Sequence, residues 1–467
     1  MSFSSASLPG SIATASASRL SAIKIATWVF AILGAFYLVW PLWRIGFPLD
    51  ANRNEGWHAW YIDAVTQGLP LYPGPDEMRV NNYPPLSFIL TSAVARLTGD
   101  AILAGRLLSL ASLFVIMAAA GMAVRALGGS RTAAAFGAFW LFATLTQFFQ
   151  YYVGVNDPSL LAIALMGLGL AYFLRCLQKG RAVEPAIALM VIAGFFKHNF
   201  PGIPVVALIW LAFIHKKAAL RATIFGALLC VIGVSLCVAA FGTNFLNEML
   251  MPREVTVGHI LSAVNRLQWI APAVAVWALW AWPNRRQPAA QFTALLIAMT
   301  LLNGLYTAAG AGVTYNAYLA VTFASAIAVG LAVEGIAATG LGRRFTPHAV
   351  TIAIIVVLLL RIVLWPRYEY YLVLTSPQFR EEYRQYSNAL NSEIARVRAI
   401  PGPVACEPLI VCYRAGKDFV YERYWVEQLI ATGRWTKDSV DKALRERKIR
   451  LEMPDPNGVL FPKKLLF

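Results

Sequence analysis

From Ile23 to Leu42 the chain reads IKIATWVFAILGAFYLVWPL, and shortly afterwards, from Asn52 to Tyr61, it reads NRNEGWHAWY. The first stretch has the length and apolarity of a spanning helix, which needs about 20 such residues. It is not a signal peptide: the apolar run is too long, no small-residue cleavage site follows, and bulky Trp43, Arg44 and Phe47 come next. The second stretch then places an acid, Glu55, within a turn or two of the membrane surface. Read together, the two describe a protein that lives in a bilayer and carries chemistry at its edge.

Composition leads to the same class. The 467 residues are 58% hydrophobic and only 14% charged, with a mean hydropathy of +0.58. Soluble chains carry roughly a quarter charged residues, so a soluble cytosolic enzyme and a disordered protein are both excluded. The net charge of +16 would suggest nucleic acid in a soluble chain. Here the cations sit in alternate short loops: Arg125 and Arg131, then Arg175, Lys179 and Arg181, then His215, Lys216, Lys217 and Arg221, then Arg285 and Arg286, then Arg343 and Arg344. With Arg19 and Lys24 they mark the cytoplasmic side by the positive-inside rule, and no nucleic-acid partner is expected.

Further apolar runs at about 104–124, 133–152, 158–176, 185–196, 201–213, 222–241, 270–282, 292–309, 317–336 and 350–365 bring the expected spans to about eleven. The pair around Lys197 is short for a hydrocarbon layer of ~30 Å. The expected organisation is a cytoplasmic N-terminus (1–22), a transmembrane module (23–366) with a long first periplasmic loop (44–100), and a periplasmic C-terminal domain (367–467) beginning at Leu364–Arg367. In that tail Phe379, Tyr383, Tyr386, Leu390, Ile394 and Val397 recur at helical spacing. Strand-like 403–405 and 449–452 flank helical patterns at 425–431 and 438–447, which makes the tail a small α+β domain on an otherwise all-α polytopic membrane protein. Cys406 and Cys412 could be bridged only through a turn at Glu407–Pro408, and the sequence leaves the bond open. The five His are isolated from Cys partners, so no metal site is expected.

Three segments can carry chemistry, each with a plainer structural reading beside it. Glu55 is either a solvated loop glutamate or a base at the membrane edge. It is followed by Asn81-Asn82-Tyr83-Pro84-Pro85-Leu86, which opens an interfacial helix. Arg106 lies about one turn inside the second span. In Tyr151-Tyr152-Val153-Gly154-Val155-Asn156-Asp157-Pro158, Asp157 is either the N-cap of the next helix or a second acid facing Glu55. In Phe196-Lys197-His198-Asn199, Lys197 either snorkels to water or binds a phosphate at a broken helix. Arg79, Arg253, His259 and Arg266 are further cations on the outer side, and Gly310–Asn316, with Tyr315, is a plain turn or a cavity mouth.

The order of these motifs resembles the GT-C glycosyltransferases of the family 39 type, which include the protein O-mannosyltransferases and lipid A aminoarabinose transferases. The resemblance rests on Asn54-Glu55-Gly56-Trp57, Tyr83-Pro84-Pro85-Leu86, Ala104–Ser109, Gly128-Gly129-Ser130-Arg131, Asn156-Asp157-Pro158 and Lys197-His198. It covers 23–213 well and the later spans in layout only. It implies an inverting hexosyl- or pentosyltransferase of the cell inner membrane. The donor would be a polyprenyl-phosphate sugar held in the lipid, the acceptor a glycan, lipid or protein; a divalent cation is left open. Carried over, Glu55 and Asp157 are the catalytic acids, with Glu55 as base. Asn54, Trp57, His58, Arg79, Tyr83, Arg106, Asn156, Lys197, His198, Arg266 and Tyr315 are the substrate-binding candidates. Two departures stand out: the family's first acid is here Asn54, and the cation before its Pro-Pro pair is here Tyr83. A flippase or transporter, or a non-catalytic assembly protein for lipid-linked sugars, are the competing classes. Paired repeats and midplane charges, the marks of transporters, are not evident in the sequence.

Overall fold

The computed structural model describes residues 17–339, 344–365 and 367–452. The N-terminal stretch up to residue 16, the loop cation Arg343, residue 366 at the expected domain boundary and the tail from 453 lie outside the described residues.

Each expected span is a helix. In chain order the first elements are α1 (Ala17–Arg44), α2 (Glu55–Gln67), α3 (Leu86–Thr98), α4 (Ala101–Ala126), α5 (Arg131–Phe148), α6 (Ser159–Gln178), α7 (Glu184–Gly194), α8 (Gly202–Ile214) and α9 (Lys216–Phe241). There follow α10 (Asn244–Met249), α11 (Val257–Asn265), α12 (Ala271–Ala281), α13 (Pro288–Ala308), α14 (Leu319–Gly335) and α15 (Pro347–Val363). Among the described residues six helices are long and apolar enough to cross a membrane unaided: α1, α4, α6, α9, α13 and α14 with its preceding turn. The protein is therefore a multi-pass membrane protein. The shorter α7, α8, α12 and α15 fill out the bundle.

Burial orders the bundle. The spanning window of α14 is entirely buried, whereas that of α9 is only 11% buried and presents Ile224, Leu228, Val231 and Leu236 outward. Lipid is as apolar as leucine, so helix association in a bilayer depends on close packing. The α5–α14 crossing shows this. A Cβ on Gly137 would lie 2.6 Å from the carbonyl of Ala326, and one on Gly330 would lie 2.9 Å from that of Ala133. Arg19, counted among the cations that mark one side of the membrane, is buried and donates to the Glu334 carbonyl at 2.8 Å and to Thr351 at 3.2 Å.

The helix starts that position the site have local causes. Asp100 caps α4 by accepting from the N–H groups of Ile102 and Leu103 at 2.8 and 3.0 Å. The interfacial helix α3 ends at Gly99, whose φ of +74° suits glycine. Its 13 residues are too few to span.

The chain ends in α16 (Glu369–Thr375), α17 (Pro377–Ala399), β1 (Val404–Cys406), α18 (Leu409–Arg414), α19 (Arg423–Ala431), α20 (Lys437–Glu446) and β2 (Arg450–Glu452). The strands pair in parallel, with Val404 opposite Arg450 and Cys406 opposite Glu452. Phe379, Tyr383, Leu390, Ile394 and Val397 form the buried stripe of α17, and full burial of such side chains contributes about 1.5–3 kcal/mol each. Cys406 and Cys412 are bridged, with their Cα atoms 5.5 Å apart. This unit packs directly on the first loop. Tyr413 donates to Asp63 at 2.8 Å, Arg414 pairs with Asp100 at 2.6 Å, and Glu422 N–H donates to the Met78 carbonyl at 2.9 Å.

Candidate functional site

Two carboxylates organise the face formed by α2, α3, the start of α4 and the turn between α5 and α6. They have different surroundings. Glu55, at the start of α2, is fully buried. Its Oε1 accepts from Arg106 Nε at 2.9 Å and from Asn156 N–H at 2.8 Å; its Oε2 accepts from Arg106 Nη2 at 2.6 Å and from Ala51 N–H at 2.7 Å. Arg106 spends its other N–H groups on the carbonyls of Ile45, Phe47 and Leu49 at 2.7–2.9 Å. All five guanidinium donors are used. Burial alone would raise the Glu55 pKa, but the Arg106 charge and these hydrogen bonds hold the carboxyl below its ordinary value.

Glu55 is the base that the sequence leads one to expect. A base needs an unfilled lone pair facing the substrate. Here the lone pairs are committed to the ion pair and to the loop backbone. Arg106 likewise holds the loop and has no donor left for a substrate. Asn54 stands solvent-exposed at the N-cap of α2 and makes no side-chain capping bond. Asn156, in contrast, joins the network: its side chain donates to the Glu55 carbonyl at 3.4 Å, and a Cβ on Gly105 would fall 1.8 Å from its Oδ1.

Asp157 is the other carboxylate. Its Oδ1 accepts from Ser159 N–H at 2.7 Å, a cap-like bond at the start of α6, and lies 3.4 Å from Lys197 Nζ. Its Oδ2 is 3.5 Å from His58 Nε2. Lys197 also donates to Ser159 Oγ at 2.8 Å and to the Tyr83 hydroxyl at 3.1 Å, with its ammonium 4.5 Å from the Tyr83 ring centre. Tyr83 stands where the resembled family has a cation, and Lys197 brings one to the same spot from between α7 and α8. Burial opposes the charge on Asp157, but Lys197 and His58 hold its carboxyl well below the usual range. Burial pulls the His58 pKa down, and Asp157 partly restores it.

Asp157 and His58 line a narrow, partly open crevice with room inside for about one water. Ser87, Phe88 and Thr91 of α3 line it, with Gly105, Leu108 and Ser109 of α4, and Asn156, Pro158 and Leu161. Apolar walls with a few convergent polar groups are the usual make-up of a ligand site. Trp57 forms an aromatic wall behind it, its ring 4.7 Å from His58 and 5.1 Å from Tyr83.

The remaining cations fall into separate places. Arg79 stacks on Trp60 at 4.7 Å and Phe419 at 5.7 Å, on the side of the C-terminal unit. His198 is exposed beside buried Lys197. Arg266 lies 5.5 Å over the Tyr315 ring and donates to the Val313 carbonyl at 3.0 Å; Arg253 donates to Ala311 of the same loop at 3.3 Å. Tyr152 ties this loop to the Asp157 turn through a 2.5 Å hydrogen bond with Thr314. Several of these groups were missed or passed over in the sequence. Ser159 could have been suspected as the second residue after Asp157. Arg253 looks like any loop cation until its partner loop is known. Asp50 is buried with both oxygens unpartnered, and nothing local distinguishes it.

Among the described residues no three His, Cys, Asp or Glu side chains gather to hold a metal ion. The donor sets do not fit one either. A divalent cation on Glu55 or Asp157 would have to displace a buried guanidinium or ammonium.

No protein-family model matches the chain, and no curated protein does. Among solved structures it is similar to the oligosaccharyltransferase of Archaeoglobus fulgidus in its apo form. The TM-score is 0.55 at 10% identity, over 91% of this chain and 69% of that chain. ArnT from Cupriavidus metallidurans bound to undecaprenyl phosphate aligns with a TM-score of 0.49 at 17% identity, over 87% of this chain and 78% of that chain. Likeness at such identities concerns the fold alone, which this chain shares with the oligosaccharyltransferase.

Proposed function

We propose that this GT-C protein is a glycosyltransferase of the inner membrane, working at its outer face. It transfers a sugar from a polyprenyl-phosphate donor to a hydroxyl acceptor with inversion at the anomeric carbon. The observation that supports the reading most is the acid-bearing crevice at Asp157, whose turn is tied through Tyr152 and Thr314 to a loop that Arg253 and Arg266 hydrogen-bond. Arg253 and Arg266 each make one hydrogen bond to that loop, and a guanidinium has five donors. Both retain donors for a phosphate, whereas Lys197 is already engaged with Asp157. The donor phosphate is therefore assigned to Arg253 and Arg266, and Lys197 acts through Asp157.

The chemistry follows from the leaving group. A phosphate departs as an anion and needs charge neutralisation more than protonation. The acceptor hydroxyl loses its proton as its oxygen attacks, so a proton acceptor is needed at the crevice. Glu55 and Arg106 fix the loop leading into α2, the helix that carries His58 to the crevice.

The test uses purified protein in nanodiscs with a panel of undecaprenyl-phosphate sugars, following loss of each donor. One donor is expected to be consumed. Arg253→Gln with Arg266→Gln should raise the KM for that donor more than 10-fold. If no donor is consumed while one is carried across a sealed vesicle, the protein is a transporter and the proposal fails.

A further inference from the structure

Resting on the glycosyltransferase reading, the proton acceptor can be named. We infer that His58 is the catalytic base, with Asp157 as its buried counter-ion. The acids of the resembled family do not supply one: residue 54 is an asparagine, and both oxygens of Glu55 are filled by Arg106 and backbone N–H groups. Asp157 faces the crevice, but its Oδ1 is engaged by Lys197 and Ser159, and its Oδ2 lies 3.5 Å from His58 Nε2, an ion-pair distance at which Nε2 makes no hydrogen bond in the structure. If Nε2 carries the proton toward Asp157, Nδ1 keeps a lone pair. Among the described residues no hydrogen bond fills Nδ1, and His58 lines the crevice. An imidazole with a free ring nitrogen can take a proton as general base; burial weakens this one, and the Asp157 charge works the other way.

The step balances. The acceptor oxygen forms a bond to the anomeric carbon, and the bond from that carbon to the phosphate oxygen breaks with its electron pair leaving on the phosphate. The hydroxyl proton passes to His58 Nδ1. The imidazolium so formed is stabilised by Asp157. The other groups around His58 are Lys197 and Glu55, which couple to it by charge, and the Tyr83 ring at 4.9 Å. Lys197 opposes protonation and limits how long the proton stays.

The experiment follows donor loss in nanodiscs as a function of pH, using whichever undecaprenyl-phosphate sugar the wild type consumes. Wild-type rate should fall on acidification below the ordinary imidazole value of about 6.5. His58→Gln should slow turnover by about 10²–10⁴-fold and abolish that acid limb, while undecaprenyl phosphate still binds by native mass spectrometry. Asp157 raises the His58 pKa, so Asp157→Asn should move the limb to lower pH. Imidazole added to His58→Ala should restore part of the rate.

Consumption of no donor by wild type would remove the glycosyltransferase reading and this inference with it. Donor consumption with an acid limb that survives in His58→Gln, or that does not move in Asp157→Asn, would overturn the His58 assignment alone. Should His58→Gln lose lipid binding through misfolding, the wild-type limb and its shift in Asp157→Asn decide.

Discussion

Arg106 and Glu55 offer the sharpest test of what the first loop is built on. The pair is fully buried, with two direct hydrogen bonds, and Arg106 binds three further carbonyls on the stretch leading into α2. Removing one member of a buried pair leaves an uncompensated charge and costs about 3–5 kcal/mol. Glu55→Gln should fall in that range. Arg106→Gln should cost more, because the carbonyls of Ile45, Phe47 and Leu49 lose their donor as well, at about 1–3 kcal/mol for each left unsatisfied. The double variant strands neither charge, so its cost should be less than the sum of the single costs by up to ~3 kcal/mol. Thermal midpoints in nanodiscs, with limited trypsin cleavage at exposed Arg53, read the effect directly. Additive single losses, or a Glu55→Gln protein as stable and protease-resistant as wild type, would refute the reasoning. A glutamate acting as base behaves differently: its amide variant loses turnover and keeps its stability.

Gly105→Ala should destabilise by about 1–3 kcal/mol, the usual cost of overpacking, because the new methyl would lie 1.8 Å from Asn156 Oδ1 and must expel a side chain that touches Glu55; differential scanning fluorimetry reads the loss. Gly56→Ala would drive a methyl to 2.5 Å from the Ile410 backbone nitrogen, so hydrogen exchange in α18 should rise while that in α14 stays unchanged. Glu422 is pushed up to about 8, first by burial and then by the Glu407 charge. Its stabilising contribution is complete below the unfolded value of 4.5 and is lost as pH rises toward 8; at about 1.4 kcal/mol per unit that is at most ~5 kcal/mol. Glu422→Gln should flatten the fall in thermal midpoint between those pH values, and an unchanged profile would count against the buried neutral carboxyl.

Much of the fold is written in local signals. A run such as Ile23–Leu42 announces a span by length alone, and the Phe379–Val397 spacing announces the buried stripe of α17. The Pro84-Pro85 pair marks the start of α3 in the same way. The site is not written locally. Glu55 meets Arg106 across 51 positions, Asp157 meets Lys197 across 40, and Lys197 meets Tyr83 across 114. A sequence shows that acids and cations are present, but it does not show which cation neutralises which acid. For that reason Glu55 reads as a free base in the sequence and as a tethered anchor in the structure. His58 suffers the reverse error: one lone histidine among aromatics gives no hint of a carboxylate from 99 residues downstream lying against its ring.

The hydrogen bond from Tyr413 to Asp63 joins positions 350 apart, and the neighbouring contacts of Arg414, Glu422 and Arg447 with the first loop span similar distances. During synthesis the first loop is made long before the residues that clamp it. The loop carrying Glu55 and His58 must therefore wait, unclamped, while the later spans insert. The contacts that clamp the loop form only once Tyr413, Arg414, Glu422 and Arg447 have been made. A chain cut short after α15 would lack all four of these contacts on its first loop.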